Sequence, residues 1–483
     1  MPLPDPILAE LRAIVGGGHV HSGPAELIAY SYDGTFQQRP PDVVVTPATT
    51  EEVAGVLRLA NCEGLPVITR GAGTNLAGET IPLTGGIVLA LTRMNRILEI
   101  DVVNGCAVVE PGVVTGDFQT AVEAQGLFYP PDPSSLAQST IGGNVACCAG
   151  GPRCLKYGVT KDYVLGITAV LADGSIMSWG GKVYKNVTGY NLAQLFVGSE
   201  GTLGVVTRII LRLLPLPRAR CAAVAYFSSL EDATRAVVGV MSEGILPATM
   251  ELMDRLTIDV VEQYMHLGLR TDAEALLLIE QDGNNPGGVL SQVNLMADVC
   301  RRFGAIEVRV AADEAQREEL WRARRAVSGA LGRYRPNKLG EDIVVPRGEI
   351  PAMVKKIKAI GEEFGVVIPV FGHAGDGNLH PNILFDLNQP GEMERVQGAA
   401  AAIFRAALEL GGALSGEHGI GTLKKEFLEE ALGTASVQVM RDIKVALDPK
   451  GILNPGKMFP TPGGSALDSF LTALPTLQGL TPG

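Results

Sequence analysis

Three glycine-rich stretches decide how this chain reads: RGAGTNLAG at residues 70–78, PDPSSLAQSTIGGNVACCAGG at 131–151, and GSEGTLGVVT at 198–207. The first follows directly on a short apolar run, residues 66–69, that reads as a strand. Upstream, Val43 to Val45 reads as another strand, and Thr49 with Glu52 three residues on is a capping-box signal. Val53, Val56, Leu57 and Ala60 then fall on one helical face. Strand, helix, strand and glycine turn make an α/β opening. In 70–78 the glycines let successive backbone N–H groups turn into one concave nest, which holds a phosphate without basic side chains. An ordinary glycine-rich turn is the alternative for this loop taken alone. It is neither the GxGxxG of a Rossmann unit nor a P-loop, since no GK[ST] opens a helix after it.

The second stretch lies in a segment, 130–158, that is long and without periodicity, and such loops in compact domains are usually functional. Pro130, Pro131 and Pro133 stiffen its start, and Gly142, Gly143, Gly150 and Gly151 permit close approach to a flat or phosphorylated ligand. A hairpin follows, residues 165–171 and 175–179 turned by Asp173-Gly174. The third stretch then feeds an alternating strand.

Chemistry concentrates further on. FGHAGDGNLH at 371–380 brackets a turn with His373 and His380, and GALSGEHGIG downstream holds Glu417 and His418, in a chain with only six histidines. Neutral imidazoles and a carboxylate suit a borderline cation such as Zn²⁺ or Mn²⁺. His373, His380 and Glu417 are thus candidate ligands, leaving His418 beside them as a general base. Two turn histidines and an unrelated Glu-His pair are the plainer reading.

Composition bounds the rest. The 483 residues, 46% apolar with 59 glycines and 30 prolines, suit a loop-rich globule of two or three lobes. No run approaches the roughly 18 apolar residues of a spanning helix. The N-terminus carries Asp5 and Glu10 where a signal peptide would be basic, and its amphipathic look suggests a short surface helix and a cytoplasmic protein. A net charge of −12 argues against nucleic acid and means that an anionic substrate needs a local cationic pocket. Seven cysteines in a long chain make no disulfide framework, and Cys147, Cys148 and Cys154 lack the repeated CxxC of an iron–sulfur or zinc site.

From Arg218 the pattern changes to strands at 223–227, 275–280 and 306–310, a helix at 290–303, and another capped by Ser228 with Glu231. This reads as an antiparallel sheet with helices on one face, lying over the first part as a lid. Within it, Arg322, Arg324, Arg325, Arg333, Arg335 and Lys338 make 320–346 the most basic segment, with a solvated helix face as the plain alternative for any one arginine.

The three loops in this order resemble the FAD-binding domain of the vanillyl-alcohol oxidase / p-cresol methylhydroxylase superfamily. HAGDGNLH and GEHGIG narrow the resemblance to the FAD-linked D-2-hydroxy-acid dehydrogenases, alongside the flavin subunit of glycolate oxidase, D-lactate dehydrogenase and D-2-hydroxyglutarate dehydrogenase. It covers roughly residues 40–460. It implies an α+β fold: a two-part FAD-binding domain at 40–217 after an N-terminal helical segment at 1–39, and an antiparallel-sheet substrate/cap domain at 218–420. A segment at 421–462 returns to the FAD domain, and 463–483 is a flexible tail.

By the same resemblance Arg70, Gly71, Ala72, Gly73, Thr74, Asn75 and Leu76 hold the FAD pyrophosphate. Pro131, Asp132, Ser135, Gly142, Gly143, Asn144, Gly150 and Gly151 meet the flavin and ribityl region, and Glu200, Gly201, Gly204 and Val205 close over the cofactor. Asn454 lies near the ring system. Arg324 clamps the substrate carboxylate, its planar fork suiting bidentate contact, with Ser328 one turn on, Lys338 nearby and Asn378 orienting the acid. The reaction implied is FAD-dependent oxidation of a D-2-hydroxy acid to the 2-oxo acid, with a divalent metal on the substrate hydroxyl and His418 as base.

Two departures stand out. Cys147 and Cys148 replace the Thr and Asn usual in relatives, which puts local hydrogen bonding to flavin in question. No histidine lies between His21 and His266, so non-covalent FAD follows. The electron acceptor is expected to be separate: an electron-transfer protein, an iron–sulfur subunit or a quinone. The chain is expected to work without nucleic acid or a membrane span, at a membrane only through a partner, as a homodimer or within a hetero-complex. A metal-dependent hydrolase and a non-catalytic FAD electron-transfer subunit are the rival readings.

Overall fold

The computed structural model describes residues 3–460; the tail expected at 463–483 lies outside the described residues. The N-terminal helix Asp5–Val15 packs Leu8, Leu11 and Val15 onto the helix Thr50–Glu63, whose N-cap Thr49 accepts from Glu52 N while Glu52 takes the Ala48 N–H. Four strands make the first sheet: β1 (Val20–His21), β2 (Val43–Val45), β3 (Val67–Arg70) and β4 (Ile87–Ala90), in the order β1-β2-β4-β3. β2, β4 and β3 are parallel and β1 pairs antiparallel to β2. Val43, Val45, Ile87 and Leu89 face one apolar cluster while Val44, Val88 and Ala90 face another, so both faces are covered, as a parallel sheet requires.

The second part is antiparallel. β5 (Ile97–Asp101), β6 (Cys106–Val109), β8 (Val164–Val170), β9 (Ile176–Gly180) and β10 (Val205–Arg212) run in the order β5-β6-β10-β8-β9. The pair β7 (Leu127–Phe128) and β11 (Leu214–Pro215) lies beside it. The β8–β9 hairpin turns through Asp173-Gly174 as its sequence demands, and β10 alternates buried and less buried residues.

The third sheet holds β12 (Ala219–Phe227), β13 (Thr249–Asp254), β14 (Ala275–Gly283), β15 (Ala305–Val310), β16 (Asn337–Gly340), β17 (Ile343–Val344), β18 (Val370–His373) and β19 (Asn378–Phe385). Its order is β15-β12-β14-β13-β18-β19-β16, with β17 also on β19, and every pairing is antiparallel. On one face Ala223, Ala225 and Phe227 meet the helices Leu230–Ser242, Pro286–Arg302, Ile350–Phe364 and Glu392–Glu409. The opposite face, holding Ala222, Val224 and Tyr226, carries two more helices, Arg255–Met265 and Glu314–Tyr334, which the expectation of helices on one face did not include. Their strand-facing side chains are what the composition disguised, because the second of them is arginine-rich. The helix Leu230–Ser242 is capped by Ser229, which accepts from Asp232 N, one residue later than the expected Ser228–Glu231 pair.

After the helix Thr434–Leu447 the chain returns to the first sheet: Val67 N donates to Ile452 O and Asn454 N to Val67 O, at 2.8 and 2.9 Å. Among the described residues no helix is long and apolar enough to cross a membrane, and the cysteines are free.

Candidate active site

The helix-poor side of the third sheet carries the chemistry. β18 and β19 pair Phe371 with His380 and His373 with Asn378, so period-two alternation turns both histidines to the same face. The connecting turn passes so close to the Val345 backbone at Gly377, φ +88°, that a side chain there would collide. The imidazole centroids lie 5.1 Å apart, nearly perpendicular. Glu417 Oε1 sits 3.4 Å from His373 Nε2 and 3.3 Å from His380 Nε2, and one ligand atom from each residue lies within 4.8 Å of the others. Burial would raise the Glu417 pKa, but the two imidazoles hold it well below the usual range. His373 Nδ1 meets Glu251 Oε1 at 2.6 Å, while His380 Nδ1 is buried and unpartnered.

His418 stacks on His380 at 5.3 Å and 13°, with Nε2 4.0 Å from Glu417 Oε1. Burial first, then the neighbouring His380, pushes its pKa down to about 4, against the pull of Asp342. A neutral imidazole is therefore present at ordinary pH. The loop bearing Glu417 and His418 is wound around one buried carboxylate. Asp342 Oδ2 accepts from Ser415 Oγ (2.5 Å) and from the N–H groups of Gly416 (2.9 Å), Glu417 (3.1 Å) and His418 (3.0 Å). Its Oδ1 accepts from Asn378 Nδ2 at 2.6 Å. Burial would raise the Asp342 pKa, yet His418, Lys424 and His380 hold it well below normal. Lys424, itself buried, donates to Asp342 O and Leu414 O.

Across the sheet runs Glu314–Tyr334, with Arg317, Trp321, Arg324 and Ser328 in one stripe at spacings of four, three and four. Arg317 and Trp321 share Glu280; Arg324 Nε donates to Glu251 Oε2 at 2.6 Å and its guanidinium lies over Phe371. Lys338 reaches the Ser328 carbonyl (3.2 Å) and hydroxyl, and burial lowers its pKa. A cavity of about 640 Å³ is lined by Arg324, Ser328, Lys338, His380, Glu417 and His418 and, from the first lobe, by Leu76, Asp132 and Arg153.

The glycine loops meet at the floor of this region. A side chain at Gly71 would collide with Thr140 and one at Gly73 (φ +70°) with the Arg70 guanidinium, which donates to Tyr32 O. Glu200 N donates to Ala146 O, and Gly198 N to Val145 O, joining the second loop to the third. Glu200 in turn accepts from Ile420 N and Gly421 N, and Asn454 Nδ2 donates to Glu79 O and Glu200 O. Gly150 lies against Glu417, and Gly151 against Asp132. Asn75 bonds Asp33 and Glu79, Asn144 bonds Thr115, and Arg153 pairs with Asp132. Ser135 caps a turn through its carbonyl, Pro131 O takes the Gln119 amide, Gly142 packs on Pro111, Gly143 N donates to Thr140, Gly204 packs on Phe196, and Val205 pairs with Val170.

Two observations fit this floor to a dinucleotide. Among the described residues no backbone N–H from Ala72 to Leu76 has a partner, leaving Ala72, Gly73, Thr74, Asn75 and Leu76 as free donors, and the buried Thr69 hydroxyl is also unpaired. The donor set of His373, His380 and Glu417, with a carboxylate already on His373 Nδ1, likewise fits a borderline divalent cation.

Residues 41–180 match the family described as FAD binding domain, and 216–458 the family described as FAD linked oxidases, C-terminal domain. The chain is 46% identical over 451 residues to the glycolate oxidase subunit GlcD of Bacillus subtilis (strain 168), covering 93% of this chain and 96% of that one. The chain belongs to the FAD-linked oxidases.

Within that family it is also 36% identical to the D-lactate dehydrogenase of Anaerostipes hadrus, over 86% of this chain and 89% of the relative. The fold matches that of p-cresol methylhydroxylase with substrate bound (TM-score 0.78, 18% identity, 95% and 98% of the two chains). The resemblance drawn from the loops therefore holds, this FAD-linked oxidase is an oxidoreductase, and the hydrolase reading falls away. Of the residues expected at the substrate, Arg324 has spent its Nε on Glu251, leaving the Nη end. Asn378 has given its amide hydrogens to Asp342 Oδ1 and Ile343 O, leaving Oδ1. Glu200 and Asn454 turn their side chains to protein partners, and Asn75 does the same. Sequence reasoning passed over Glu251 and gave Asp342 no role. For Glu251 a signal existed: an acid flanked by Met250, Leu252 and Met253 in the middle of the buried strand TMELMD. For Asp342 none did, because the four donors to its Oδ2 come from more than seventy residues away and the one to Oδ1, Asn378, from the strand β19.

Proposed function

We propose that this FAD-linked oxidase converts a D-2-hydroxy acid of the glycolate or D-lactate class to the 2-oxo acid. What supports the reading is the convergence, at one cavity between the glycine loops and the third sheet, of the His373–His380–Glu417 set, His418 and Arg324. The names of the relatives, a glycolate oxidase subunit and a D-lactate dehydrogenase, point to the same substrate class. FAD would sit non-covalently on residues 70–76, 131–151, 200–205 and 454, and His373, His380 and Glu417 would hold Zn²⁺ or Mn²⁺. When bound, FAD supplies the hydride acceptor and the cation a Lewis acid that lowers the hydroxyl pKa.

The protein's own part is binding, orientation and proton transfer. Arg324, through its Nη groups and with Ser328 and Lys338 beyond it, fixes the acid's carboxylate. Asn378 offers Oδ1. His418, neutral because it is buried, takes the hydroxyl proton at Nε2, and Asp342 holds its backbone in place. Residues 40–217 act as the FAD domain, 218–420 as the substrate domain and 421–462 as the return, after a helical segment at 1–39. The electrons leave to a separate acceptor, in keeping with the word subunit in the relative's name, and the chain works in the cytoplasm, at a membrane only through a partner.

The test is a dye-coupled screen of 2-hydroxy acids in both enantiomers, with metal analysis of the purified protein. Turnover of a D-acid or glycolate, with about one equivalent of Zn or Mn, is expected. A yellow protein that reduces no dye with any acid would make it an electron-transfer subunit instead.

A further inference from the structure

One buried carboxylate joins the two halves of the site. Glu251 is fully buried in β13, paired across the sheet with His373, and each of its oxygens takes one partner: Oε1 from His373 Nδ1 and Oε2 from Arg324 Nε, both at 2.6 Å. Both carboxylate oxygens are thereby matched to nitrogen partners on two different elements. Neither oxygen reaches the cavity, which Glu251 does not line. An anion removed from water this completely is a costly way to fasten two strands to a helix. Its geometry serves a different end. A donor at Nδ1 fixes the tautomer of His373 so that the Nε2 lone pair faces Glu417. The Nε bond ties that edge of the planar Arg324 guanidinium, set over Phe371, back to β13 and leaves the Nη groups of a residue that lines the cavity.

We propose that Glu251 is a positioning residue shared by the cation-binding imidazoles and the carboxylate clamp, so that one side chain sets both the metal affinity and the grip on the acid. The inference rests on the reading of His373, His380 and Glu417 as cation ligands and of Arg324 as clamp. Glutamine at 251 keeps the shape but offers one acceptor and one NH₂. A donor must then face either His373 Nδ1–H or Arg324 Nε–H, so one of the two contacts is lost and the other keeps only a neutral acceptor in place of a charged one, which weakens both.

Equilibrium dialysis of the full-length, FAD-loaded protein against Zn²⁺ alone, beside steady-state kinetics on the best acid of the screen, tests this. Glu251→Gln should bind Zn²⁺ on the order of 10- to 100-fold more weakly, the usual worth of an outer-shell partner. KM for the acid should rise about 10-fold or more while kcat at saturating Zn²⁺ and acid stays within a few-fold, as expected when uniform binding is removed. FAD content and circular dichroism should match the parent. If Glu251→Gln does not fold, Glu251→Asp, which keeps the charge but falls short of spanning both partners, is measured in its place with the same expectation. A folded variant with Zn²⁺ affinity and KM both within 2-fold of the parent overturns the inference and leaves the ligand assignment standing. A parent protein that binds no Zn²⁺ or Mn²⁺ overturns both.

Discussion

Asp342→Asn is the perturbation whose size the structure sets best. The carboxylate accepts five hydrogen bonds, four on Oδ2 and one on Oδ1, and is fully buried. An asparagine presents one oxygen and one NH₂. With the oxygen toward the 415–418 loop, the NH₂ faces the Asn378 NH₂; flipped, it faces three backbone N–H groups and a hydroxyl. Each charged hydrogen bond is worth about 1.5–3 kcal/mol, but bonds to a single carboxylate are not additive. Breaking one partner out of a buried charged network costs about 3–5 kcal/mol, and that is the expected loss. Against a whole-protein stability of about 5–15 kcal/mol the variant should still fold.

Activity should fall further than stability. The backbone of Glu417 and His418 is held at Oδ2, and a shift of about 1 Å in a reacting group costs on the order of 10² in rate. Sign follows from the depressed carboxyl: its stabilisation is fully present above the unfolded pKa of about 3.9 and is lost as pH falls below it, so the variant should lack that acid-side decline. Urea denaturation at pH 7 and from pH 5 down to about 2, with single-turnover flavin bleaching, measures all three effects. A folded Asp342→Asn protein with flavin reduction within about 3-fold of the parent would refute the argument that this carboxylate sets the catalytic loop.

Other expectations follow from the same geometry. Acid or heat should release FAD into the supernatant, since no histidine lies between His21 and His266; flavin left on the precipitated chain contradicts this. Arg324→Lys loses both the Nε bond to Glu251 and the planar fork, so kcat/KM should drop about 10- to 100-fold, the worth of a charged hydrogen bond, and an unchanged value moves the clamp to Lys338. Glu417→Gln should lose metal and activity together, whereas His418→Asn should keep metal and FAD and slow flavin reduction by on the order of 10² to 10⁴; the reverse pattern in metal analysis swaps the roles. Glu79, raised to about 8 by burial and then by the Glu200 carboxylate, makes folding favour the protonated form. Stability should therefore decline as pH rises from about 4.3 toward 8, and Glu79→Gln should flatten that profile in urea melts.

Sequence alone determined what is local. Val43 to Val45 is a strand, Thr49 caps the helix Thr50–Glu63, and Asp173-Gly174 turns the β8–β9 hairpin, because periodicity and turn chemistry act over a few residues. The three glycine loops were legible for the same reason: a backbone nest is written in glycines that cannot be replaced at close approach, as at Gly71 and Gly73. His373 and His380 were legible as a pair bracketing one turn; that the flanking residues pair as strands and turn both imidazoles to one face is what the structure adds. What distant segments decide was not legible. For any one arginine of the basic segment a solvated helix face was the plain alternative, yet Arg324, and Arg317 just before that segment, are buried, because the acids that receive them, Glu251 and Glu280, stand on strands some forty to seventy residues earlier. Asn378 looks free for a substrate until Asp342 takes its amide. Glu417 reaches the imidazoles only after Asp342 gathers its loop. A buried charge is tolerated only where a partner meets it, and the sheet order β14-β13-β18-β19, set by packing of the whole domain, chooses that partner.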